Sequence, residues 1–393
     1  MKLKKYEGNP ILSPNPENYW ENLVVCNPGV IYDQGVFHML YRAAGDDMEH
    51  LVYLGKAEST DGIHFERVSN EPAFAPGKNS FDAGSNEDPR IVKMGTEFFI
   101  TYAFRPYFAG QYWKNEYDKV DAPDYDPNAP KCLRENISNT ALAVSKDMRH
   151  FKKVGRLTEP SLDDRDVILF PEKINGKYWM LHRPKDYVNA NGDYGTDNPS
   201  IWIKSSDDLM MWHTDSKLLM KGEEDWEVKI GGNTPPIKTD EGWFLLYHGV
   251  DKNFTYRIGA AILDLDDPTK VLYRTKDFIL EPETYEETQG LYRWGGLYFL
   301  PEPWSRMVFL SRHSLQRYLQ PRRVCPDGSQ LGIFRTALVS RTAGVGLGDG
   351  AAASPSARSD VGSVGGERVV PEYAPLAAIR CEAQYRQCAG GEP

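Results

Sequence analysis

A repeated pattern of short apolar segments constrains the fold of this chain more than any other feature. Four segments rich in apolar and aromatic residues each follow a turn that contains Gly, Asp or Glu: Val36–Tyr41, Glu97–Phe104, Lys177–His182 and Gly242–His248. A second short strand is predicted before each turn, in GVIYDQG, RIVKMGT, EKINGK and PIKTDEG. Each unit is therefore predicted to be a β-hairpin.

A third strand and a polar corner follow three of these hairpins. The corners read STDGIHF from Ser59, SKDMRHF from Ser145 and SSDDLMMW from Ser205. Ser and Asp side chains can hydrogen-bond to nearby backbone groups and hold a turn. Strands in groups of four at this spacing are typical of propeller blades. We therefore predict an all-β fold, a β-propeller, with a jelly roll or β-sandwich as the alternative.

Charge and cysteine content limit the partners and the compartment. The net charge of −10 argues against nucleic acids and anionic membranes as main partners. No apolar stretch is long enough for a transmembrane helix, and the N-terminus lacks the apolar core of a signal peptide. The five cysteines have no metal-type spacing, so we interpret them as free thiols of a cytoplasmic protein.

Two segments depart from the repeat. Residues 105–136 are polar and rich in Pro, Asp and Tyr, and we predict a long loop over one mouth of the propeller. The chain beyond residue 291 changes character, with no Lys or Asn from residue 301 and a low-complexity run. We therefore predict a catalytic propeller over residues 1–291. Residues 292–393 form an atypical, partly disordered segment in which the fifth blade is absent or altered.

Polar residues beside proline mark the start of each repeat. They are Asn27-Pro28-Gly29, Glu87-Asp88-Pro89-Arg90, Phe170-Pro171-Glu172-Lys173 and Gly232-Asn233-Thr234-Pro235-Pro236. Because proline would break a central strand ladder, it indicates strand entry, and propeller active sites lie at the axis where the innermost strands end. Asp88, flanked by an acid and an arginine, is the first catalytic candidate. The alternatives are simple entry turns and a structural Asp–Arg turn.

Basic residues recur in or beside the same strands, at Arg42, Arg165, Arg183, Lys229 and His248. In an acidic chain, cations that converge on one axis need an anionic partner. Phosphate fits, since arginine offers paired donors and lysine a point charge. The alternative is ordinary ion pairing with neighbouring acids such as Asp163, Asp164, Asp166 or Glu227.

Five longer segments together resemble the mannoside phosphorylases of glycoside hydrolase family 130. They are NPGVIYDQGVFHMLYRA, NEDPRIVKMGTEFFITYAF, DVILFPEKINGKYWMLHRP, KIGGNTPPIKTDEGWFLLYHGV and IGAAILDLDDPTKVLYR, spread over residues 7–291. The resemblance implies a five-bladed β-propeller with a central pocket. It also implies inverting phosphorolysis, in which phosphate attacks C1 of a β-mannosyl unit and α-mannose 1-phosphate is released.

The resemblance also implies roles for individual residues. Asp88 matches the general acid, which acts through the 3-hydroxyl of the mannosyl ring. Arg165, Arg183, Lys229 and His248 match the phosphate site. Asn27, Arg42, Asp46 and Arg90 are assigned to the mannosyl unit, with Asp47 as the alternative to Asp46. Inorganic phosphate is then the co-substrate, and neither a cofactor nor a metal is implied.

Two other functions stay open at this point. An inverting β-mannosidase would need a base carboxylate to activate water, whereas phosphate is already a nucleophilic anion that needs cations to hold it. A non-catalytic sugar-binding propeller with a disrupted fifth blade is the second alternative. The acceptor sugar and the linkage, 1,4 or 1,2, are not fixed by these motifs. Homo-oligomers are common among such enzymes, so a homo-oligomer is a further expectation.

Overall fold

The computed structural model describes residues 2–78, 80–111, 126–283 and 287, with the backbone of 293–294 and 298–299. Over this part of the chain the structure is almost entirely β. A short helix, α1 (Lys131–Glu135), and a 3-10 turn at Asn189–Asn191 interrupt the strands, and residue 287 is helical. The predicted all-β class is therefore confirmed.

The strands form four antiparallel meanders that we call blades 1 to 4. Blade 1 comprises β1 (Val24–Asp33), β2 (Val36–Ala44), β3 (Val52–Ser59) and β4 (Glu66–Arg67). Blade 2 comprises β5 (Ser85–Met94), β6 (Glu97–Arg105), β7 (Asn139–Ser145) and β8 (Phe151–Arg156). Blade 3 comprises β9 (Asp164–Leu169), β10 (Tyr178–Pro184), β11 (Ile201–Ser206) and β12 (Lys217–Met220).

Blade 4 has a divided first strand, because Pro235 and Pro236 interrupt it. It comprises β13 (Lys229–Gly232), β14 (Ile237–Thr239), β15 (Gly242–Val250), β16 (Tyr256–Leu263) and β17 (Val271–Arg274). The first strands of the four blades lie side by side, β1 against β5, β5 against β9 and β9 against β13. Two-residue strands β18 (Arg293–Trp294) and β19 (Tyr298–Phe299) pair with each other. Side chains on the first strands of the four blades can therefore lie close to one another.

The predicted hairpins are confirmed in blades 1, 2 and 4, and one predicted strand of blade 3 is wrong. The segment EKINGK is not a strand, because β9 ends at Leu169 and Pro171 follows. Ile174 and Lys177 form an isolated bridge around a tight turn, in which Asn175 and Gly176 have φ of 52° and 79°. Positive φ at both central residues is the signature of a type I′ turn.

The Ser–Asp corners hold turns as predicted. In blade 1 the amide of Gly62 donates to Ser59 Oγ (3.0 Å), and the amide of His64 donates to Asp61 Oδ1 (2.8 Å). Blade 2 repeats both bonds at Ser145 and Asp147. In blade 3 the turn is held by Ser206 and Asp208. These local bonds satisfy backbone groups that leave the sheet.

A buried ionic cluster, which we call the blade anchor, recurs inside the blades. In blade 1, Glu21 accepts hydrogen bonds from the hydroxyl of Tyr41 (2.9 Å) and from Arg67 Nε (2.8 Å), while Trp20 stacks on the Tyr41 ring. A buried carboxylate is tolerated because each oxygen is paired. The anchor therefore fixes the position of β2 with both hydrogen bonds and ring packing.

The anchor returns with the same spacing of 20 residues between acid and tyrosine. Blade 2 uses Asp82, Tyr102 and Lys153, and blade 4 uses Glu227, Tyr247 and Arg274. Blade 3 substitutes His182, which bonds to Asp164 and Ser216 at 2.8 Å each. His182 is therefore structural.

Some predictions fall outside the described residues. These are the fifth blade and the disordered tail after residue 291, and the middle of the predicted loop, residues 112–125. No helix in the described part of the chain combines the length and apolar character needed to cross a membrane. Cys26 and Cys132 are buried free thiols.

Candidate active site

Blades 1 to 3 each carry a β-bulge at the same place in their first strand. The pairing register shifts between Cys26 and Gly29, between Glu87 and Arg90, and opposite Leu181–Arg183 in blade 3. Each bulge contains one residue at positive φ: Asn27 (45°), Asp88 (51°) and Asp166 (56°). Asn and Asp are the non-glycine residues that tolerate this conformation best. The bulge takes each of these residues out of the strand ladder.

A second set of residues lies opposite the bulges on the next strand. The register pairs Cys26 with Arg42, Glu87 with Ala103, Arg165 with Arg183 and Gly231 with His248. Each of these partners comes directly after the anchor residue of its strand: Tyr41, Tyr102, His182 or Tyr247. Successive side chains of a strand point to opposite faces. Arg42, Arg183 and His248 are therefore held by the anchor that immediately precedes each of them.

At the first end of this site the structure joins Asp88 with two of its predicted neighbours. Asp88 Oδ1 accepts a hydrogen bond from Asn27 Nδ2 (2.8 Å) and lies 3.4 Å from Arg42 Nη1. The same Arg42 nitrogen lies 3.2 Å from Glu87 Oε2. Sequence reasoning assigned no role to Glu87, although it adjoins Asp88.

At the second end the predicted cations gather around a carboxylate that the sequence had offered only as an ion-pair partner. Arg183 Nε donates to Asp166 Oδ2 at 2.6 Å, and His248 Nε2 lies 3.6 Å from the same oxygen. Arg165 donates from Nε to Asp163 (3.1 Å), and Lys229 Nζ donates to the hydroxyl of Tyr256 (3.2 Å). The structure therefore groups the four predicted phosphate ligands.

The electrostatics of this group are those of crowded positive charge. Burial, followed by repulsion from Arg183 and Arg165, lowers the pKa of Lys229 to about 7, although Asp166 opposes the shift. Burial, with repulsion from Arg183, also lowers the pKa of His248 to about 3, so its imidazole is neutral. A desolvated lysine among arginines is stabilised by a negative charge, and the site is therefore suited to an anion.

Asp166 is ionised in this setting. Burial alone would raise the pKa of its carboxyl group, but the positive charges of Arg183 and Arg90 hold that pKa well below its usual range. Its side chain is 6 % exposed. Asp166 therefore acts as a fixed negative charge that orients Arg183.

Gly231 makes room for this arrangement. A Cβ atom at this position would overlap the Asp166 carboxylate and would lie 2.7 Å from two ring atoms of His248. Because real Cβ atoms do not approach so closely, any side chain at Gly231 would displace the acid or the imidazole.

The two ends are in electrostatic contact. Arg165 acts on Glu87, and Arg90 acts on both Asp166 and His248. Arg90 Nη1 donates to the carbonyl of Pro89 (3.1 Å), while its buried Nε has no hydrogen-bond partner within the described residues. Arg90 therefore links the Asp88 side of the site to the cation cluster.

Asp46 lies farther out, on the exposed loop after β2. Its Oδ1 accepts a hydrogen bond from Gln111 Nε2 (3.2 Å), which belongs to the predicted long loop. Asp47 was the alternative to Asp46. Its Oδ1 accepts a hydrogen bond from the amide of His50 (2.7 Å) and so holds a local turn. The loop after β2 and the start of the segment 105–136 therefore meet next to the site.

Two interpretations based on proline are wrong. Pro28 and Pro89 lie inside β1 and β5, so they do not mark strand entry. They are tolerated there because the bulge leaves no hydrogen bond of the strand ladder for them to break. Phe170–Lys173 extends the β9–β10 hairpin away from the bulge, with the amide of Phe170 donating to the carbonyl of Trp179. The blade 3 counterpart of Asp88 is Asp166, which valine follows. Counting back from the anchors would not have found it, because Asp88 lies 14 residues before Tyr102 whereas Asp166 lies 16 residues before His182.

No group of His, Cys, Asp and Glu side chains in the described ranges is placed to hold a metal ion.

Comparisons with known proteins agree with this geometry. The family model of glycoside hydrolase family 130, described as β-1,4-mannooligosaccharide phosphorylase, matches residues 2–122 and 125–293. A 1,2-β-oligomannan phosphorylase of Thermoanaerobacter sp. (strain X514) is 38 % identical over 298 residues, which are 74 % of this chain and 86 % of that protein. A β-1,4-mannooligosaccharide phosphorylase of Ruminococcus albus is 29 % identical over 296 residues, 73 % of this chain and 76 % of that protein.

A solved structure supports the same relationship. The β-1,2-mannobiose phosphorylase from Listeria innocua, in complex with β-1,2-mannobiose, superposes with a TM-score of 0.58 at 27 % identity, covering 74 % of this chain and 87 % of that one. Because the family model spans most of the sequence and the identity to a full-length relative is high, the chain belongs to glycoside hydrolase family 130.

Proposed function

We propose that the chain catalyses inverting phosphorolysis of β-mannosides, which gives α-mannose 1-phosphate and a shortened sugar. The observation that carries this proposal is the cation cluster of Arg165, Arg183, Lys229 and the neutral His248. Repulsion within it lowers the pKa of Lys229 to about 7. A bound phosphate anion would offset that repulsion, so the cluster is suited to hold phosphate.

Each predicted phosphate ligand has a distinct part. Asp166 engages Nε of Arg183, and the terminal amino groups of Arg183 make no hydrogen bond to any described residue. They are thus available for two phosphate oxygens in a paired geometry. Arg165 and Lys229 add charge, and neutral His248 offers an N–H donor. These groups hold phosphate close to the sugar, where attack becomes effectively intramolecular.

Asp88 supplies the proton. It gives its proton to the 3-hydroxyl of the mannosyl unit, and that hydroxyl passes its own proton to the glycosidic oxygen. A phosphate oxygen forms the new bond to C1 while the bond from C1 to the glycosidic oxygen breaks, and the acceptor sugar leaves neutral. Asn27 and Arg42 fix the Asp88 carboxyl group, and Arg90 and Asp46 are the remaining proposed contacts to the mannosyl unit.

Hydrolysis fits the geometry less well. An inverting glycosidase needs a free carboxylate that takes a proton from water. The carboxylates among the cations, Asp166 and Asp163, are ion-paired with arginine, and their pKa values are held well below the usual range against the effect of burial. Such groups are weak bases, whereas phosphate needs no base.

For the linkage we propose β-1,2. The relative that is 38 % identical is a 1,2-β-oligomannan phosphorylase, and the relative named for the β-1,4 linkage is 29 % identical. The acceptor side of the site is proposed to lie where Asp46 meets Gln111. We also propose that the four described blades belong to a five-bladed propeller and that phosphate is the co-substrate, with no cofactor.

The test is release of mannose 1-phosphate from β-1,2-mannobiose, β-1,4-mannobiose and β-1,4-mannosylglucose, with and without phosphate. Wild type is expected to release it only with phosphate and fastest from the 1,2-linked sugar. Asp88→Asn should abolish release and keep the fold, since Asn also tolerates positive φ. Release of mannose in the absence of phosphate would show that the reaction is hydrolysis and not phosphorolysis. Faster turnover of a 1,4-linked sugar would overturn the linkage alone.

A further inference from the structure

Glu87 is a buried carboxylate for which the proposed reaction has no use. It lies on β5 directly before the bulge and is 8 % exposed. Titratable groups from four elements act on it or on its partner Arg42: Arg42 of β2, His50 of the following loop, Arg105 of β6 and Arg165 of β9. Burial would raise the pKa of Glu87, but the arginines lower it, so the side chain is ionised.

One nitrogen of Arg42 lies between two carboxylates. Nη1 is 3.2 Å from Glu87 Oε2 and 3.4 Å from Asp88 Oδ1. Both distances exceed the 2.7–2.9 Å of a strong charge-assisted bond, so Arg42 is shared and does not pair fully with Asp88. His50 adds little charge, because burial, followed by repulsion from Arg42, lowers its pKa to about 4.

This sharing matters for a general acid. A carboxyl group that pairs fully with arginine loses its proton readily, whereas a neighbouring negative charge favours the protonated form. Glu87 does both things that an acid at Asp88 requires: it draws Arg42 away and it places a negative charge next to Asp88. Arg105 of β6 also lies near Glu87, with its Nε 4.0 Å from Oε1, so Glu87 is held between two arginines.

We propose that Glu87 is a positioning residue that shares Arg42 with Asp88 and so limits how strongly that arginine pairs with the proposed general acid. The proposal rests on the proposed role of Asp88 as general acid. Glu87 itself does not touch the reacting atoms. It acts through Arg42 and through its own charge.

The experiment measures kcat/KM for phosphorolysis between pH 5 and 9 in Glu87→Gln, Arg42→Gln and wild type. In Glu87→Gln, Arg42 pairs with Asp88. The upper pH limit of activity should then move down by about one pH unit, with about a tenfold loss at neutral pH. In Arg42→Gln the positive charge is removed, and the negative charge of Glu87 remains beside Asp88. The upper limit should then move up, even though KM for the mannoside rises.

The matched control is Glu21→Gln, which removes a buried carboxylate from another Glu–Arg pair, in the blade 1 anchor. It should lower the melting temperature without moving the pH limits. Glu87→Asp, which keeps the charge, should restore the wild-type limit. If Glu87→Gln does not fold, the double variant of Glu87→Gln and Arg42→Gln is compared with Arg42→Gln. Loss of the Glu87 charge should then move the upper pH limit back down, whereas a purely structural role of Glu87 predicts no such return.

A uniform loss at every pH in Glu87→Gln, or limits that move the same way in both variants, would overturn the proposal. The proposed function can be disproved independently of the role of Glu87. If wild type releases no mannose 1-phosphate from any mannoside, phosphorolysis is wrong. If wild type and Asp88→Asn behave as proposed but neither pH limit moves, only the role of Glu87 is wrong.

Discussion

Asp166 Oδ2 accepts a 2.6 Å hydrogen bond from Arg183 Nε and lies 3.6 Å from His248 Nε2. One carboxylate therefore sets the orientation of two residues of the proposed phosphate site. The arrangement depends on a first strand that bulges at Asp166 and on a fourth blade that brings Gly231 against it. The site is thus assembled across blades 3 and 4, and its parts can be tested separately.

Gly231→Ala should weaken phosphate binding, because the new Cβ would displace Asp166 or His248. We expect KM for phosphate to rise at least tenfold, which corresponds to about 1.4 kcal/mol or more of lost binding. KM for the mannoside should change much less. Steady-state kinetics with each substrate varied in turn measures both constants.

Gly95→Ala is the control for this change. Gly95 has φ of 63°, and no atom lies within 4 Å of the position its Cβ would take. The variant should lose about 1 kcal/mol of stability from backbone strain and keep KM for phosphate. An equal rise of KM in both variants would show that lost stability, and not the crowding of Asp166, causes the effect.

Lys229 should make anion affinity depend on pH. Its pKa of about 7 means that the ammonium group loses its proton as pH rises above neutrality. Sulfate is a suitable probe, because it keeps one charge state over this range. Calorimetry should show sulfate affinity falling by up to tenfold per unit from about pH 7 to 9 in wild type. Lys229→Met should bind more weakly with no such fall, and Lys229→Arg should bind tightly throughout. A wild-type affinity that is constant over this range contradicts the prediction.

The same group should link stability to pH. The pKa of Lys229 is lowered in the folded state, so the unfolded chain binds more protons between pH 7 and the usual lysine value of 10.5. Stability of wild type relative to Lys229→Met should therefore rise with pH through that window. Urea unfolding at pH 7 and pH 9 measures the difference. Without an anion Lys229→Met should be the more stable protein at pH 7, and phosphate at a hundred times its Kd should add about 2.7 kcal/mol to wild type.

The blade anchors should matter for stability and not for substrate. Tyr41→Phe and Tyr247→Phe each remove a hydrogen bond to a buried glutamate, which leaves part of its charge unpaired. We expect losses of about 1–3 kcal/mol in the free energy of unfolding, with both KM values nearly unchanged. Changes at the next residues should instead raise KM, that for the mannoside in Arg42→Gln and that for phosphate in His248→Ala. Denaturant unfolding and kinetics on the same four proteins test the division.

The sequence predicted the hairpins, the corners and the all-β class because these follow from local periodicity and turn chemistry. It also named Asp88 and the four cations, on residue type and family resemblance. Asp166 had no assigned role of its own, since proline was taken as the marker of the axis and blade 3 has valine after its bulge. Which residues share a bulge depends on pairing between strands, and the sequence alone does not show that pairing.

Glu87 was missed for a related reason. Its importance comes from a nitrogen of Arg42 that lies on another strand and faces two acids at once. No local motif encodes such sharing. The anchors did leave a readable signal, since acid and tyrosine are 20 residues apart in blades 1, 2 and 4. That spacing aligns blades 1, 2 and 4 with one another, but not blade 3, where Asp164 and His182 are 18 residues apart.

The left-handed residue in each bulge separates chemistry from architecture. Because Asn27, Asp88 and Asp166 lie outside the strand ladder, their side chains can change without unpairing a strand. An all-β fold built this way has one position in each of blades 1 to 3 at which a proton donor, a neutral amide or a fixed charge can be exchanged. New reactions could therefore arise on this scaffold by substitution at three places, while the tyrosine-based anchors keep the blades in register.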